Sequence, residues 1–223
     1  MPAIRGVGFD LDGTLFDSSS VSRHALKDGF ERFWAEIGED GHVPSWEEAS
    51  RLIGLPSRQF YPAILAAPYR EHWRLLNRLV SEAEIRGLRE GKGRTFEGVH
   101  DTLEALRAMG FWLGCVSNAS KPYFDAVLDE CRLREYFPDL AWLGEDARTT
   151  KADVLRRWAE RVGGKRALVY VGDRGGDIEA AHAVGLLAAG VTYGYGSAEE
   201  LASADIRINA LWELVAVLEG AGS

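Results

Sequence analysis

Four groups of residues in this chain of 223 are of the kinds that do chemistry, and they come in a set order. They are Asp10 and Asp12 in GFDLDGTL, Ser117 and Asn118 in GCVSNAS, Lys151, and Asp173 with Asp177 in VGDRGGD. Two carboxylates one residue apart repel each other, so a buried bare pair needs either a cation between them or a retained proton. Asp12-Gly13 on its own is a common turn dipeptide. A second acidic pair near the other end of the chain, again between an apolar run and a helical one, shifts the reading to chemistry. A hydroxyl and an amide at a strand-to-helix junction, as at Ser117-Asn118, suit an anion, because free backbone N–H groups and the helix dipole are available there. Lys151 adds a point positive charge.

The elements that must position these residues follow from periodicity. Residues 4–9 form a short run, apolar but for Arg5, too brief for a helix and β-branched at Ile4 and Val7, which predicts a buried strand ending at Asp10. Further strands are expected at 111–116, 141–143, 166–171, 186–191 and 206–208, with helices at 99–109, 122–130, 152–162, 178–184 and 210–219. Strands alternating with helices indicate an α/β fold with a doubly wound parallel sheet. Sites in such sheets form at the carboxyl ends of the strands, where all four groups are expected. Residues 22–91 contain no convincing strand and read as helices at 22–37, 46–53, 57–66 and 69–89, with Pro44, Pro56 and Pro68 near their starts. The expected division is a core of residues 1–16 and 95–223 and a helical insertion of residues 17–94, hinged at 16–20 and at about 91–98.

Taken together, DLDGTL, VSN, the lone Lys151 and VGDRGGD resemble the four motifs of the haloacid dehalogenase superfamily, in its phosphatase branch. Gly54-Leu55-Pro56 and the segment 190–201 (GVTYGYGSAEEL) are similar to phosphoglycolate-phosphatase-like members. The resemblance covers the chain apart from about 17–94. It implies a Rossmann-like core with a helical cap of the first type, a Mg²⁺ cofactor and a small phosphorylated substrate. It also implies roles: Asp10 as nucleophile, Asp12 as general acid and base, and Ser117, Asn118 and Lys151 as holders of the phosphoryl oxygens. The metal would be held by Asp10, the backbone carbonyl of Asp12, Asp173 and Asp177. Two positions depart from the pattern: Ala152 follows Lys151 where proline is common, and Arg174 stands where threonine or serine is frequent.

Asp12 argues against dehalogenation, because a halide leaving group needs no proton. Phosphonate hydrolysis of the family's kind needs a cap lysine, and Lys27 and Lys92 have no apolar setting. A phosphomutase or phosphotransferase on the same core stays open, as does a non-catalytic binding protein, although neither the Asp10 nor the Asp173 position has lost its carboxylate. A basic residue, Arg51 or Arg58 in RLIGLPSR, is the candidate contact for a substrate carboxylate. The net charge of −8 speaks against nucleic acid and anionic membranes as partners. No run reaches membrane-spanning length and no leader precedes the first strand, so a cytoplasmic monomer or homodimer is expected. Cys115 and Cys131 fit a reducing compartment, Cys115 as a small core residue. The five histidines fall in no metal-ligand spacing, Arg70, Arg74 and Arg78 read as a solvated stripe, and the aromatic residues between 30 and 73 read as insertion core.

Overall fold

A computed structural model of the chain describes residues 4–144 and 148–221. Six parallel strands form one sheet: β1 (Gly6–Phe9), β4 (Trp112–Ser117), β5 (Asp139–Trp142), β6 (Leu168–Gly172), β7 (Leu187–Val191) and β8 (Ile206–Ile208), in the order β5-β4-β1-β6-β7-β8. Succession runs outward from β1 in one direction to β5 and then in the other to β8, which makes β1 the switch point where such sheets build sites. Phe9 is level with Cys115 on one side and Val171 on the other. The three chemistry-bearing turns therefore leave adjacent strands at the same edge.

Side-chain alternation along the central strands separates two cores. Val7 and Phe9 point to a face that they share with Cys115, Val169 and Val171, packed against α5 (Val99–Ala108), α6 (Lys121–Glu130) and α9 (Glu213–Ala221). The other face is covered by α7 (Lys151–Val162) and α8 (Gly175–Val184) around Trp158, Tyr170 and Ile178. On that face β1 and β4 offer Gly8 and Gly114. A Cβ at Gly8 would stand 3.0 Å from the Tyr170 ring and 3.1 Å from the Trp158 indole. Bare backbone at these positions makes the recess that seats Trp158, which is 1% exposed and stacks edge-on against Trp112.

Between β1 and β4 the chain forms a two-stranded antiparallel ribbon, β2 (Phe16–Asp17) with β3 (Arg94–Thr95), and a helical insertion between those strands. The insertion has α1 (Ser19–Ile37), α2 (Trp46–Ser50), α3 (Ser57–Ile64) and α4 (Trp73–Arg89). They pack around their own cluster, with Phe30, Phe33, Leu76 and Leu79 among its most buried members. The ribbon falls on both expected hinges and was not foreseen, since two-residue strands are too short to show a period. Helix α1 begins three residues before the expected start because Asp17 Oδ1 accepts from the Ser19 N–H and Ser22 N–H already bonds to Ser18 C=O. The expected helix at 69–89 divides into a 3₁₀ turn, Ala67–His72, and α4, whose first residue is Trp73.

Trp158→Ala would leave the two glycines facing a void. The expected loss is about 3–5 kcal/mol of unfolding free energy, read as a lower midpoint in urea at unchanged slope.

Candidate active site

Asp10, the residue after β1, is 5% exposed, and its N–H bonds to the Val171 carbonyl at 2.9 Å. Asp173 follows β6 with no exposure, and Asp177 is the third residue of α8 with 2%. One carboxylate oxygen of each lies within 4.8 Å of the others. Lys151 opens α7 and drives its ammonium into the group, 2.8 Å from Asp10 Oδ1 and 2.6 Å from Asp177 Oδ1. The other oxygen of Asp177 accepts from the Arg174 N–H at 3.0 Å, which ties the start of α8 to the site.

Three buried carboxylates against one ammonium leave unbalanced negative charge, and the protonation equilibria reflect it. Burial pushes the Asp10 carboxyl well above its ordinary range; Lys151 opposes this, and Asp177 and Asp173 add to it. Asp173 is pushed up to about 7, by burial first and then by Asp177, against the pull of the Tyr195 N–H. Burial also raises Asp12, whose Oδ1 accepts from Tyr123 Oη at 2.7 Å and whose Oδ2 accepts from Ser117 Oγ at 3.3 Å. Asp173 Oδ1 is buried with no hydrogen-bond partner. An unsatisfied anionic oxygen beside two further carboxylates is the donor set of a hard divalent cation, so the residues fit Mg²⁺.

Backbone packs against this cluster at close range. Gly13 has φ +84°, and a Cβ there would run into the Asp173 carboxylate. The turn after β7 passes equally close: a Cβ at Gly194 would overlap Asp173 Cβ, while the Tyr195 N–H donates to Asp173 Oδ2 at 2.7 Å. Tyr195 Oη meanwhile accepts from the Ser19 N–H at 2.9 Å and lies 3.0 Å from Ser18 Oγ. One residue thus joins the acidic cluster to the start of the insertion.

Asp10, Asp12, Ser117 and Asn118 line a partly open cleft whose opposite wall comes from α1, α3 and α4. Helices and core meet across it through insertion backbone: Asn118 Nδ2 donates to the Gly54 carbonyl at 2.7 Å, and Arg174 Nη2 to the Arg51 carbonyl at 3.0 Å. Arg174, the departure in the fourth motif, is therefore a bridge, held also by Glu200 at 3.1 Å. Arg51 enters through its carbonyl, and its side chain does not line the cleft. Arg58 lines a neighbouring cavity with Asn118 and Lys151. Sequence reasoning missed Tyr123, Tyr195, Ser22 and Glu84. Glu84 left a signal: Leu76, Val80, Glu84 and Leu88 form one stripe of α4 at four-residue spacing, and the acid interrupts it. Burial pushes Glu84 up to about 8, against the bond from Ser22 Oγ at 2.6 Å.

A parallel sheet with buried carboxylates and a lysine at the mouth of its central strands defines an aspartate-centred α/β enzyme. Residues 7–191 match the haloacid dehalogenase-like hydrolases, and the chain belongs to that family. It is 33% identical over 235 aligned positions to the phosphoglycolate phosphatase of Escherichia coli K12, covering 96% of this chain and 92% of that one. A predicted phosphatase from Clostridium acetobutylicum superposes with a TM-score of 0.78 at 25% identity, over 98% of this chain and 99% of the other. A predicted phosphoglycolate phosphatase from Haemophilus somnus 129pt shares the fold at a TM-score of 0.82 and 21% identity, over 97% and 99% of the two chains. Kinship makes this protein a phosphatase-type hydrolase. Among the described residues no helix is long and apolar enough to cross a membrane.

Asp173 and Glu84 bind their protons more tightly folded than unfolded, so the folded state holds more protons between the ordinary carboxylate range and about pH 7 to 8. Stability of the metal-free protein should therefore fall as pH rises through that window and level off above it. Thermal midpoints in EDTA from pH 5 to 9 test this, and Asp173→Asn should flatten the slope. A midpoint that rises across the window contradicts it.

Proposed function

We propose that the protein is a Mg²⁺-dependent phosphatase of small phosphomonoesters that works through an aspartyl-phosphate on Asp10, in a cytoplasmic setting. The observation that carries this reading is the buried meeting of Asp10, Asp173 and Asp177 with Lys151, with one oxygen of Asp173 lacking any hydrogen-bond partner. Asp10, the Asp12 carbonyl, Asp173 and Asp177 would hold the metal. When bound, Mg²⁺ neutralises charge between the carboxylates and the phosphate dianion.

The chain's own residues supply the remainder. A carboxylate oxygen of Asp10 attacks phosphorus as the bond to the leaving alcohol breaks. Ser117, the Asn118 N–H and Lys151 hold the phosphoryl oxygens and stabilise their charge during transfer. Asp12 gives its proton to the departing alkoxide, a task suited by the burial that keeps that proton on. Tyr123 and Ser117 fix the orientation of its carboxyl. Asp12 then takes a proton from water as that water attacks phosphorus, which frees Asp10 and releases inorganic phosphate. The insertion, residues 17–94, acts as a cap over the core of residues 1–16 and 95–223, and covers the cleft during both steps.

The parent protein should release phosphate from p-nitrophenyl phosphate in Mg²⁺ and not in EDTA. Asp10→Asn should fall to background, and Asp12→Asn should lose about 10²–10⁴-fold in kcat. Calorimetric Mg²⁺ binding should disappear in Asp173→Asn. Folded parent protein that releases no phosphate from p-nitrophenyl phosphate, 2-phosphoglycolate or sugar phosphates would overturn the reading.

A further inference from the structure

The cleft has two sides of different character. The floor holds Asp10, Asp12 and Ser117, while the wall from the insertion presents Ser22, Ser57, Asn77, Ser81 and Glu84 beside apolar Leu26, Phe60 and Val80. No lysine, arginine or histidine is among the described residues that line it. Lys151 belongs to the phosphoryl site, bonded to Asp10 and Asp177, and Arg58 lines the neighbouring cavity. The wall that the insertion gives the cleft therefore carries hydroxyls, an amide and a carboxyl group and no cation.

That chemistry sorts leaving groups. A leaving group with its own carboxylate or second phosphate would bring an anion into a partly desolvated space whose lining offers no positive charge to pair it. A leaving group with neutral hydroxyls meets partners at every turn, since serine hydroxyls donate and accept and a glutamate accepts in either protonation state. Glu84 is also fixed in place for the purpose: Ser22 Oγ holds its Oε1 at 2.6 Å, and α4 carries it in a stripe that is otherwise leucine and valine. Leu26 and Val80 offer apolar contact to a carbon skeleton.

We propose that this wall is a specificity site for a neutral, polyhydroxylated leaving group, a sugar or polyol monophosphate, with Glu84 as its determining residue. It selects against phosphomonoesters that carry a second anion, 2-phosphoglycolate included. The proposal rests on the phosphatase reading above and narrows its substrate class.

The test compares kcat/KM for a hexose monophosphate and glycerol 3-phosphate with that for 2-phosphoglycolate, with acetyl phosphate, whose acetyl group carries neither a hydroxyl nor a charge, as the control. The parent should favour the hydroxylated substrates by about tenfold or more, the scale on which a site built to bond hydroxyls discriminates. Glu84→Ala should reduce that preference about tenfold, and Ser81→Lys, which installs a cation, should move it toward 2-phosphoglycolate. Equal or better turnover of 2-phosphoglycolate by the parent overturns the proposal without any variant. So does a Glu84→Ala loss on acetyl phosphate as large as that on the hydroxylated substrates, which marks a structural role. If acetyl phosphate and all other substrates are left intact by the folded parent, the phosphatase reading itself fails, and this inference with it.

Discussion

The structure is organised around an electrostatic imbalance: three buried carboxylates face a single ammonium. No arrangement of apolar side chains can relieve it, because burial raises the energy of each anion and the anions repel one another. The sheet order follows from the need to bring them together all the same. Only with β1 between β4 and β6 do Asp10, Ser117 and Asp173 leave neighbouring strands at one edge. Lys151 reaches the cluster because α7 begins there, its start defined by the reciprocal Thr150–Asp153 capping bonds. The site is thus an unfavourable charge arrangement held by a favourable fold, a common relation between catalytic and structural demands.

The two cores and the insertion divide that work. The tryptophan seated on Gly8 and Gly114 fixes α7 to the sheet and with it the origin of Lys151. The glycine-bearing turn after β7 approaches Asp173 more closely than any side chain would allow, and its tyrosine reaches the ribbon where the insertion begins. The acidic cluster and the start of the insertion are consequently linked by one residue, Tyr195, whose backbone meets the first and whose phenol meets the second.

Much of this was legible in the sequence, for physical reasons that can be named. The buried strands declared themselves as short apolar runs, and each reactive group stood where such a run met a helical pattern. Asp10, Asp173 and Asp177 stood out because like charges in apolar surroundings are improbable without a task, and Lys151 stood out through its place in the four-motif order. The β2–β3 ribbon was illegible, since pairing between residues 16–17 and 94–95 has no local period. Tyr123 and Tyr195 were hidden for a related reason: their partners lie 111 and 22 positions away in the chain, and nothing about a tyrosine in a helix or a turn announces a distant aspartate. The bond from Arg174 to the Arg51 carbonyl was hidden as well, because a main-chain oxygen carries no side-chain signal.

That last feature bears on how proteins of this build diversify. Asn118 and Arg174 grip the segment 51–54 by main-chain oxygens, which every amino acid carries. Gly54, with φ +97° and the Arg174 side chain close above it, is the position least open to replacement. Its neighbours are under no such constraint. Substitutions at 51, 52, 53 and 55 leave the attachment intact while changing what Ile53 and Leu55 present to the cleft. An enzyme fastened in this way can vary the side chains that face its cleft one at a time while the fastening itself is kept.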